Sequence, residues 1–327
     1  MNKKFEELYK LILQNKRFVL TSHVYTDGDA VGSLLALNQY LKSLGKTVDV
    51  IVPGEIPPKY EFLKTEHFIN RLDDAHTKMA IKNADVIIIL DVSALDRLNH
   101  LYEPVNASPA FKVCLDHHPV KQDWIDLLLV DLEKVATGEI IYEFFKYFDI
   151  EISRSIAEAL YTSILSDSGG FRFHRTGVST FKMAADLVSA GIDPTDIYNR
   201  VFESGNLRQL KAWGQLLSNI RSNGRVTWAV ADKDLLGTHG ITLEEIDGII
   251  DLLRKNDQAD VVIVFIEKET NEILVGLRSK NGINVAEIAG KFGGGGHYHA
   301  AGFTARESLS DVINKTLKYI PGVNIEN

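Results

Sequence analysis

The sequence predicts an α/β fold, in which a parallel sheet with helices on both faces is followed by a smaller α/β domain. Three observations support this class. Runs that are apolar throughout, such as Val86 to Leu90, alternate with helical stretches, as expected for strands buried on both faces. The composition shifts near Ser204-Gly205-Asn206, and the pattern then restarts. A length of 327 residues with 45% hydrophobic residues favours two packed domains.

The first part of the chain alternates short apolar runs with helical periodicity. The spacing of Phe5, Leu8 and Ile12 predicts a docking helix. The predicted strands cover residues 17–22, 47–52, 84–90, 111–115 and 127–130. The predicted helices cover residues 5–13, 31–44, 137–148, 153–165 and 180–190. Gly191-Ile192-Asp193-Pro194 ends the last of these helices, because Gly and Pro are typical of helix ends.

The second part repeats the pattern on a smaller scale. Strands are predicted over 226–231, 260–267 and 272–278, and helices over 242–255 and from residue 285. We therefore expect a first domain over 1–190, a helical linker over 191–215 and a second domain over 216–327.

Composition excludes several classes of protein. A net charge of -8 argues against a long duplex-binding surface, which requires a basic stripe. The single cysteine, Cys114, excludes an intramolecular disulfide framework. Glu6 and Glu7 stand where a signal peptide needs apolar residues, and no apolar run approaches the length of a membrane span. These features predict a cytoplasmic protein with no membrane partner.

Asp116-His117-His118 is the most informative stretch. It follows the apolar run Phe111 to Leu115, and Pro119 prevents a simple continuation of the strand. Successive residues of a strand point to opposite faces, so the two histidines can converge only on a turn beyond the strand end. Open α/β sheets bind ligands at that edge. The triplet alone could equally be a solvated turn.

Other potential metal ligands follow the same rule. Two further apolar strands end at metal-capable residues, and the full set is His23, Asp27, Asp29, Asp91, Asp116, His117 and Asp167. A single Asp at such a place can be a turn former or a helix cap. Five carboxylates at one sheet edge, however, would raise each other's pKa unless cations neutralised them. Mixed His and Asp ligation without thiolates suits two manganese ions better than calcium or structural zinc.

The order of these residues resembles a known family. His23-x-x-x-Asp27-x-Asp29-Ala30, Asp91, Asp116-His117-His118 and Asp167-Ser168-Gly169 resemble the four motifs of the DHH phosphoesterase superfamily. Tyr25-Thr26 stands where many relatives carry Asn-Pro, a change that removes no ligand. The run Gly293 to His297 with Ala300-Ala301-Gly302 resembles the signature of the DHH-associated domain. Spacing and size are most similar to the NrnA-type bifunctional oligoribonucleases and phosphatases of 3′-phosphoadenosine-5′-phosphate (pAp).

The resemblance implies a division of roles at the metals. One ion takes His23 and Asp27, the other takes Asp29 and His117, Asp91 bridges both, and Asp167 is a further ligand, assigned to the second ion. Asp116 would orient His117 or His118, and His118 would face the scissile phosphate as a proton donor or charge stabiliser.

The second domain is expected to bind the substrate. Backbone amides of Gly294, Gly295 and Gly296 can cradle an anion, although four consecutive glycines also suit a mobile linker. His297, Arg278 and Ser279 add a cationic, polar surface. In the first domain, Arg97 could reach the phosphate or simply solvate a helix.

The resemblance thus implies a metallophosphoesterase with a cleft between its domains. It would release mononucleotides from short RNA and inorganic phosphate from pAp, and it could be a homodimer. Two alternatives stay open: a sister enzyme acting on pyrophosphate or on cyclic or linear dinucleotides, and a non-catalytic nucleotide-binding regulator.

Overall fold

The structure is a computed structural model that describes residues 1–67, 74–92, 94–120, 124–246, 248–280 and 282–323. It divides into two compact units, Met1–Ser204 and Gly205–Asn327, with the boundary inside the predicted linker. The first unit contains a five-stranded sheet and the second a six-stranded sheet, which confirms the predicted α/β class. No helix among the described residues is both long and apolar enough to cross a membrane.

The sheet of the first unit is parallel throughout. Its strands are β1 (Arg17–Thr21), β2 (Thr47–Val50), β3 (Val86–Leu90), β4 (Phe111–Asp116) and β5 (Leu127–Val130), in the order β2-β1-β3-β4-β5. Its helices are α1 (Asn2–Gln14), α2 (Gly28–Ser43), α3 (Asp74–Asn83), α4 (Tyr102–Ala107), α5 (Thr137–Tyr147), α6 (Arg154–Asp167), α7 (Val178–Ser189) and α8 (Pro194–Phe202).

Strand β3 shows why this sheet is covered on both faces. All five of its residues are buried, as its unbroken apolar sequence predicts. Ile88 belongs to the core cluster that includes Leu34 of α2 and Ile140 of α5, whereas Ile87 belongs to a separate cluster that includes Val105 of α4. Neighbouring residues of the strand therefore enter opposite helical layers.

The second unit has a mixed sheet. Its strands are β6 (Arg221–Asn223), β7 (Val226–Ala231), β8 (Val261–Glu269), β9 (Glu272–Ser279), β10 (Gly295–His297) and β11 (Ala300–Ala305), in the order β10-β11-β9-β8-β7-β6. Its helices are α9 (Leu207–Ser218), α10 (Lys233–His239), α11 (Leu243–Ile246), α12 (Ile249–Leu253), α13 (Val285–Gly290) and α14 (Leu309–Lys318).

Several predicted helix bounds differ from the structure, and three of these differences bear on the ligands or on the second unit. The single helix predicted over 242–255 is instead α11 and α12, and Gly248 between them has a φ of 90°, which a continuous right-handed helix does not allow. Helix α2 begins at Gly28 rather than at residue 31, so Asp29 lies in its first turn. Helix α6 continues to Asp167, which is its last residue.

The register of the parallel strands sets the position of the candidate ligands. Thr21 pairs with Ile89, Leu90 pairs with Leu115, and Asp116 is the last paired residue of β4. The carboxyl ends of β1, β3 and β4 therefore lie side by side, and the residues that follow them emerge at one edge of the sheet.

Candidate metal centre

His23 and Asp27 form the first part of the centre. His23 follows β1 and is buried, and its Nε2 lies 3.8 Å from Oδ2 of Asp27. The other carboxylate oxygen of Asp27 caps helix α2 by accepting hydrogen bonds from the backbone amides of Asp29 and Ala30, both at 3.1 Å. From the sequence alone, Asp27 could be either a helix cap or a metal ligand. A carboxylate has two oxygens, however, and each can take a different partner. Asp27 can therefore cap the helix with one oxygen and bind a metal with the other.

Asp91 lies at the middle of the group. Its Oδ2 is 3.3 Å from Nε2 of His23, and its Oδ1 is 3.6 Å from Nε2 of His117 and 3.3 Å from Nδ1 of His118. It directly follows the central strand β3 and has a φ of 59°, a left-handed conformation that Asp tolerates better than most residues. Both oxygens of this one buried carboxylate thus face imidazoles.

His117 faces a second set of carboxylates. Its Nδ1 lies 3.3 Å from the carbonyl oxygen of Lys134. That carbonyl can only accept, so Nδ1 carries the hydrogen and Nε2 is left as an electron-pair donor. Nε2 lies 3.1 Å from Oδ2 of Asp167 and 3.6 Å from Oδ2 of Asp29. The tautomer is therefore the one that can bind a cation among these carboxylates.

Asp116 holds His118 in position. Its Oδ1 accepts hydrogen bonds from both the backbone amide and Nδ1 of His118, each at 2.8 Å. Asp116 is fully buried at the end of β4, whereas 12% of the His118 side chain is exposed. Because Nδ1 is engaged by Asp116, Nε2 is the nitrogen that His118 can offer to a ligand. Of the two histidines that Asp116 was expected to orient, the hydrogen bonds select His118.

Two groups of donors result. The donor atoms of His23, Asp27 and Asp91 lie within 4.8 Å of one another, and so do those of Asp29, His117 and Asp167. Asp91 also belongs to a third such group, with Asp116 and the two adjacent histidines. Imidazole nitrogen and carboxylate oxygen at these separations are the donors that borderline divalent cations prefer.

The pKa values of the carboxyl groups show that Asp29 and Asp27 lack compensating positive charge, whereas Asp91 has it from two histidines. Burial and the charges of Asp91 and Asp167 raise the pKa of Asp29 to about 8. The side chain of Asp27 is partly exposed. Its pKa is nevertheless raised to about 6, because the surrounding protein atoms reduce its hydration and because Asp167 is negatively charged. For Asp91, burial opposes ionisation, but hydrogen bonds from His118 and His23 hold its pKa well below the usual range. Buried carboxyl groups whose mutual repulsion opposes ionisation fit a centre completed by divalent cations.

For the two adjacent histidines, the neighbouring carboxylates favour the charged form and raise the pKa. Burial disfavours the charged form of His117, but Asp167 outweighs it and raises the pKa to about 9. Burial likewise opposes protonation of His118, yet Asp116 and Asp91 together raise its pKa well above the usual range. Both neighbouring carboxylates therefore favour the protonated form of His118, the form that can donate a proton.

Comparison with known proteins identifies this arrangement. Residues 17–164 match the DHH family, N-terminal domain, and residues 224–321 match the DHHA1 domain. The bifunctional oligoribonuclease and PAP phosphatase NrnA of Thermus thermophilus is 30% identical over 295 residues, which cover 88% of this chain and 83% of that protein. The chain belongs to the DHH phosphoesterase family.

Two further proteins match this chain over nearly its whole length. NrnA of Mycoplasma genitalium, described as a bifunctional oligoribonuclease and PAP phosphatase, is 30% identical over 319 residues, covering 96% of this chain and 97% of that protein. The crystal structure of an exopolyphosphatase-related protein from Bacteroides fragilis superposes with a TM-score of 0.91 at 27% identity, covering 98% of this chain and 97% of that one. The predicted family is thereby confirmed, and the chain is a phosphoesterase of the DHH family.

The DHH centre also includes residues that the sequence did not reveal. The backbone amide of Thr137 donates to Oδ2 of Asp29 at 2.6 Å, and its hydroxyl lies 3.5 Å from Oδ1 of Asp91. Ser163 donates to Oδ1 of Asp29 at 2.5 Å. Thr137 and Ser163 are 108 and 134 residues from Asp29 in the chain, and both are common residue types at helical positions. No local pattern could have indicated them.

Two arginines lie around the centre. Arg97 is half-buried, and its carbonyl accepts a hydrogen bond from the amide of Val24. Its positive charge opposes the aspartates, which raise the pKa of His23. It is therefore close enough to act electrostatically on the first donor group. Arg175, which the sequence did not single out, donates from Nη1 to the carbonyl of His117 at 3.4 Å. Both guanidinium groups bring positive charge towards a strongly acidic cluster.

In the DHHA1 domain, the glycine run differs from the expected loop. Gly295–His297 form strand β10, which pairs antiparallel with β11, so these residues belong to a sheet. A Cβ at Gly294 would lie 2.2 Å from the carbonyl oxygen of Gly302, which explains the need for glycine there. Strand β10 is nevertheless an edge strand, and its outer backbone groups face no further strand of the described residues.

The predicted side chains of this domain separate into two kinds. Ser279 is buried, and its hydroxyl contacts the carbonyl of Ile283 at 2.7 Å and Nδ1 of His299 at 2.9 Å, so that hydroxyl is engaged inside the domain. Arg278 is half-buried and pairs with Ala300 beside β10, and its Nη1 donates to the carbonyl of Leu277 at 3.0 Å. His297 lies on β10, but its side chain is outside the described part of the structure. Arg278 and the β10 edge therefore lie at the same end of the sheet.

Proposed function

We propose that this protein hydrolyses short oligoribonucleotides to mononucleotides and dephosphorylates pAp to AMP, using two divalent cations, most suitably manganese. The observation that carries the proposal is the pair of donor groups joined at Asp91. Relatives that match this chain over most of both lengths are named for both activities. Only the groups attached to phosphorus differ between the two substrates, so one centre can serve both.

The residues divide between the cations according to their contacts. His23 and Asp27 would hold one ion, Asp29, His117 and Asp167 the other, and Asp91 both. Such a pair of ions supplies positive charge that activates water and stabilises the charge developing at phosphorus. Binding two cations also offsets the mutual repulsion that raises the carboxyl pKa values of Asp27 and Asp29.

His118 would assist departure of the leaving oxygen. Asp116 fixes its ring through Nδ1, and Nε2 can then donate a proton to the 3′ oxygen of the departing nucleotide or nucleoside. The raised pKa of His118 supplies the proton at neutral pH, and its partial exposure allows contact with a ligand. Asp116 is a positioning residue in this scheme.

Substrate phosphates away from the reacting group would be held by cations and amides of the chain. In the first unit, Arg97 has the charge for this role. In the DHHA1 domain, Arg278 and the outer amides of β10 would take the corresponding role, together with His297 as the sequence predicts. Ser279 would act indirectly, by holding His299 in place.

One substrate panel tests the proposal. Manganese-loaded protein is incubated with labelled RNAs of two to five nucleotides, a long RNA, pAp, pyrophosphate, and a cyclic and a linear dinucleotide. We expect rapid hydrolysis of the short RNAs and pAp, and slower hydrolysis of the long RNA. A preference for pyrophosphate or for a cyclic dinucleotide would assign the protein to a sister activity. Tight manganese binding with no turnover of any phosphate ester would indicate a regulator.

A further inference from the structure

Asp29 is surrounded by hydrogen-bond donors, and they are divided unequally between its two carboxylate oxygens. Oδ1 accepts from the hydroxyl of Ser163 at 2.5 Å, from the hydroxyl of Ser33 at 3.1 Å and from the amide of Gly138 at 3.1 Å. Oδ2 accepts from the amide of Thr137 at 2.6 Å and otherwise faces Nε2 of His117 at 3.6 Å. Three donors exhaust the useful directions around Oδ1, so only Oδ2 remains available to a cation.

The amino end of α5 contributes to this enclosure because it lacks a cap of its own. Ala136 stands at the N-cap position and offers no side-chain acceptor. The first two amides of the helix, those of Thr137 and Gly138, instead donate to Asp29 from α2. An acceptor from another helix thus satisfies donors that a Ser or Asp cap normally would. The same interaction fixes the carboxylate against the helix end.

Close packing keeps Ser163 in place. A Cβ at Gly138 would lie 2.1 Å from Oγ of Ser163, so only glycine leaves room for the hydroxyl between α5 and α6. Ser163, Ser33 and Asp29 are all fully buried, which excludes water as a substitute donor at these positions. Among the described residues, the hydrogen-bond acceptor of the Ser163 hydroxyl is Oδ1 of Asp29.

We infer that Ser163 is a positioning residue that restricts Asp29 to a single ligating oxygen and thereby sets the affinity of the second ion, the one assigned to Asp29, His117 and Asp167. The inference rests on the proposed metal centre. Without Ser163, Oδ1 keeps only two donors, and the carboxylate can pivot away from the direction in which Oδ2 faces His117. Loss of an outer-shell partner of this kind typically lowers metal affinity by roughly ten- to a hundredfold. Within the described part of the chain, the hydroxyl of Ser163 bonds to Asp29 and not to His23 or Asp27, which would hold the first ion, so that site should keep its affinity.

The test compares Ser163→Ala with Thr162→Val. Thr162 is the adjacent fully buried residue of α6, and its hydroxyl donates to the carbonyl of Glu158 in its own helix, so its loss removes a buried hydroxyl that has no link to Asp29. Each metal-free variant is titrated with manganese, and bound and free ion are separated by electron paramagnetic resonance. We expect Ser163→Ala to weaken one site about tenfold or more while the other is unchanged, and Thr162→Val to leave both sites unchanged.

Combination with ligand variants identifies the affected ion. In a His23→Ala background the remaining site should weaken again when Ser163→Ala is added, whereas in an Asp167→Asn background the addition should have little effect. Wild-type affinity at both sites in Ser163→Ala, or equal loss in Thr162→Val, would overturn the inference. If Ser163→Ala does not fold, Ser33→Ala, which removes the longer 3.1 Å bond to the same oxygen, replaces it, with a smaller but still selective effect expected. Absence of manganese binding by the wild-type protein would instead refute the proposed function.

Discussion

Asp91→Asn is the substitution that tests the candidate centre most directly. Asn has the same shape as Asp and also tolerates the left-handed backbone at φ 59°, whereas Ala would add about 1–2 kcal/mol of backbone strain. The change therefore removes charge with little change in packing. It leaves His23, His117 and His118 in place, each with an imidazole nitrogen 3.3 to 3.6 Å from where a carboxylate oxygen had been.

The expected loss of metal binding and activity in Asp91→Asn follows from the contacts of its two carboxylate oxygens, which face different histidines. Loss of a partner that touches only one ligand costs about 10- to 100-fold in affinity or activity. Asp91 belongs to the first donor group, and its Oδ1 lies 3.6 Å from Nε2 of His117 in the second, so we expect manganese stoichiometry to fall from two to at most one. The specificity constant for a dinucleotide should fall by more than about 100-fold, which corresponds to roughly 2.7 kcal/mol of transition-state stabilisation.

Metal content, spin coupling and hydrolysis should be measured on the same preparations. Two manganese ions that share a bridging carboxylate give an exchange-coupled resonance spectrum, which the variant should lose. Asp126→Asn is the matched control, because Asp126 accepts from the amide of Lys112 at 2.8 Å at the opposite, amino end of the strands. If Asp91→Asn retains two tightly bound ions, the coupled spectrum and full turnover, Asp91 does not bridge.

Three further predictions concern the rest of the molecule. A protein lacking residues 205–327 should still bind manganese but hydrolyse oligonucleotides poorly, and equal rates with the whole chain would exclude substrate binding by the DHHA1 domain. Arg278→Ala and His297→Ala should each leave metal content unchanged and lower the specificity constant by about ten- to a hundredfold, the loss of one charged hydrogen bond, while wild-type kinetics in both would exclude these side chains. The metal-free protein should lose thermal stability as pH rises from about 4 to 9, through Asp29 first and through His117 as well above about 6.5. In the folded state Asp29 and His117 retain protons up to pKa values of about 8 and 9, whereas unfolding returns them to 3.8 and 6.5, and manganese should remove this slope.

The sequence predicted the first sheet and its ligand-bearing edge because strong local signals coincide there. An unbroken apolar run such as Val86 to Leu90 indicates a strand buried on both faces, and in a parallel sheet the residues after such runs meet at one edge. The structure brings His23, Asp91 and His117 together at that edge. Their roles as ligands stay predictions until metal binding is measured.

Where sequence reasoning failed, a competing interaction explains the difference. The helix expected over 242–255 is divided at Gly248, whose φ of 90° is open to glycine and lies outside the right-handed helical region, so the local backbone overrides the helical periodicity. The glycines before His297 were expected to form a loop because a glycine run has no strand propensity. They form β10 instead, since β11 supplies the pairing partner and the close contact at Gly294 excludes larger residues.

The donors around Asp29 show a different limit of sequence reasoning. Ser163 and Gly138 occupy ordinary helical positions, and their function depends on the approach of α2, α5 and α6 to within hydrogen-bond distance. Such an approach is a property of packing, whereas a ligand at the end of a strand is a property of local sequence. Candidate ligands can therefore be listed from a motif. The hydrogen bonds that occupy one oxygen of a carboxylate and leave the other available to a cation can be found only from the folded chain. Selective weakening of one manganese site by Ser163→Ala would show that this geometry, and not the ligand set alone, determines how the second ion is bound.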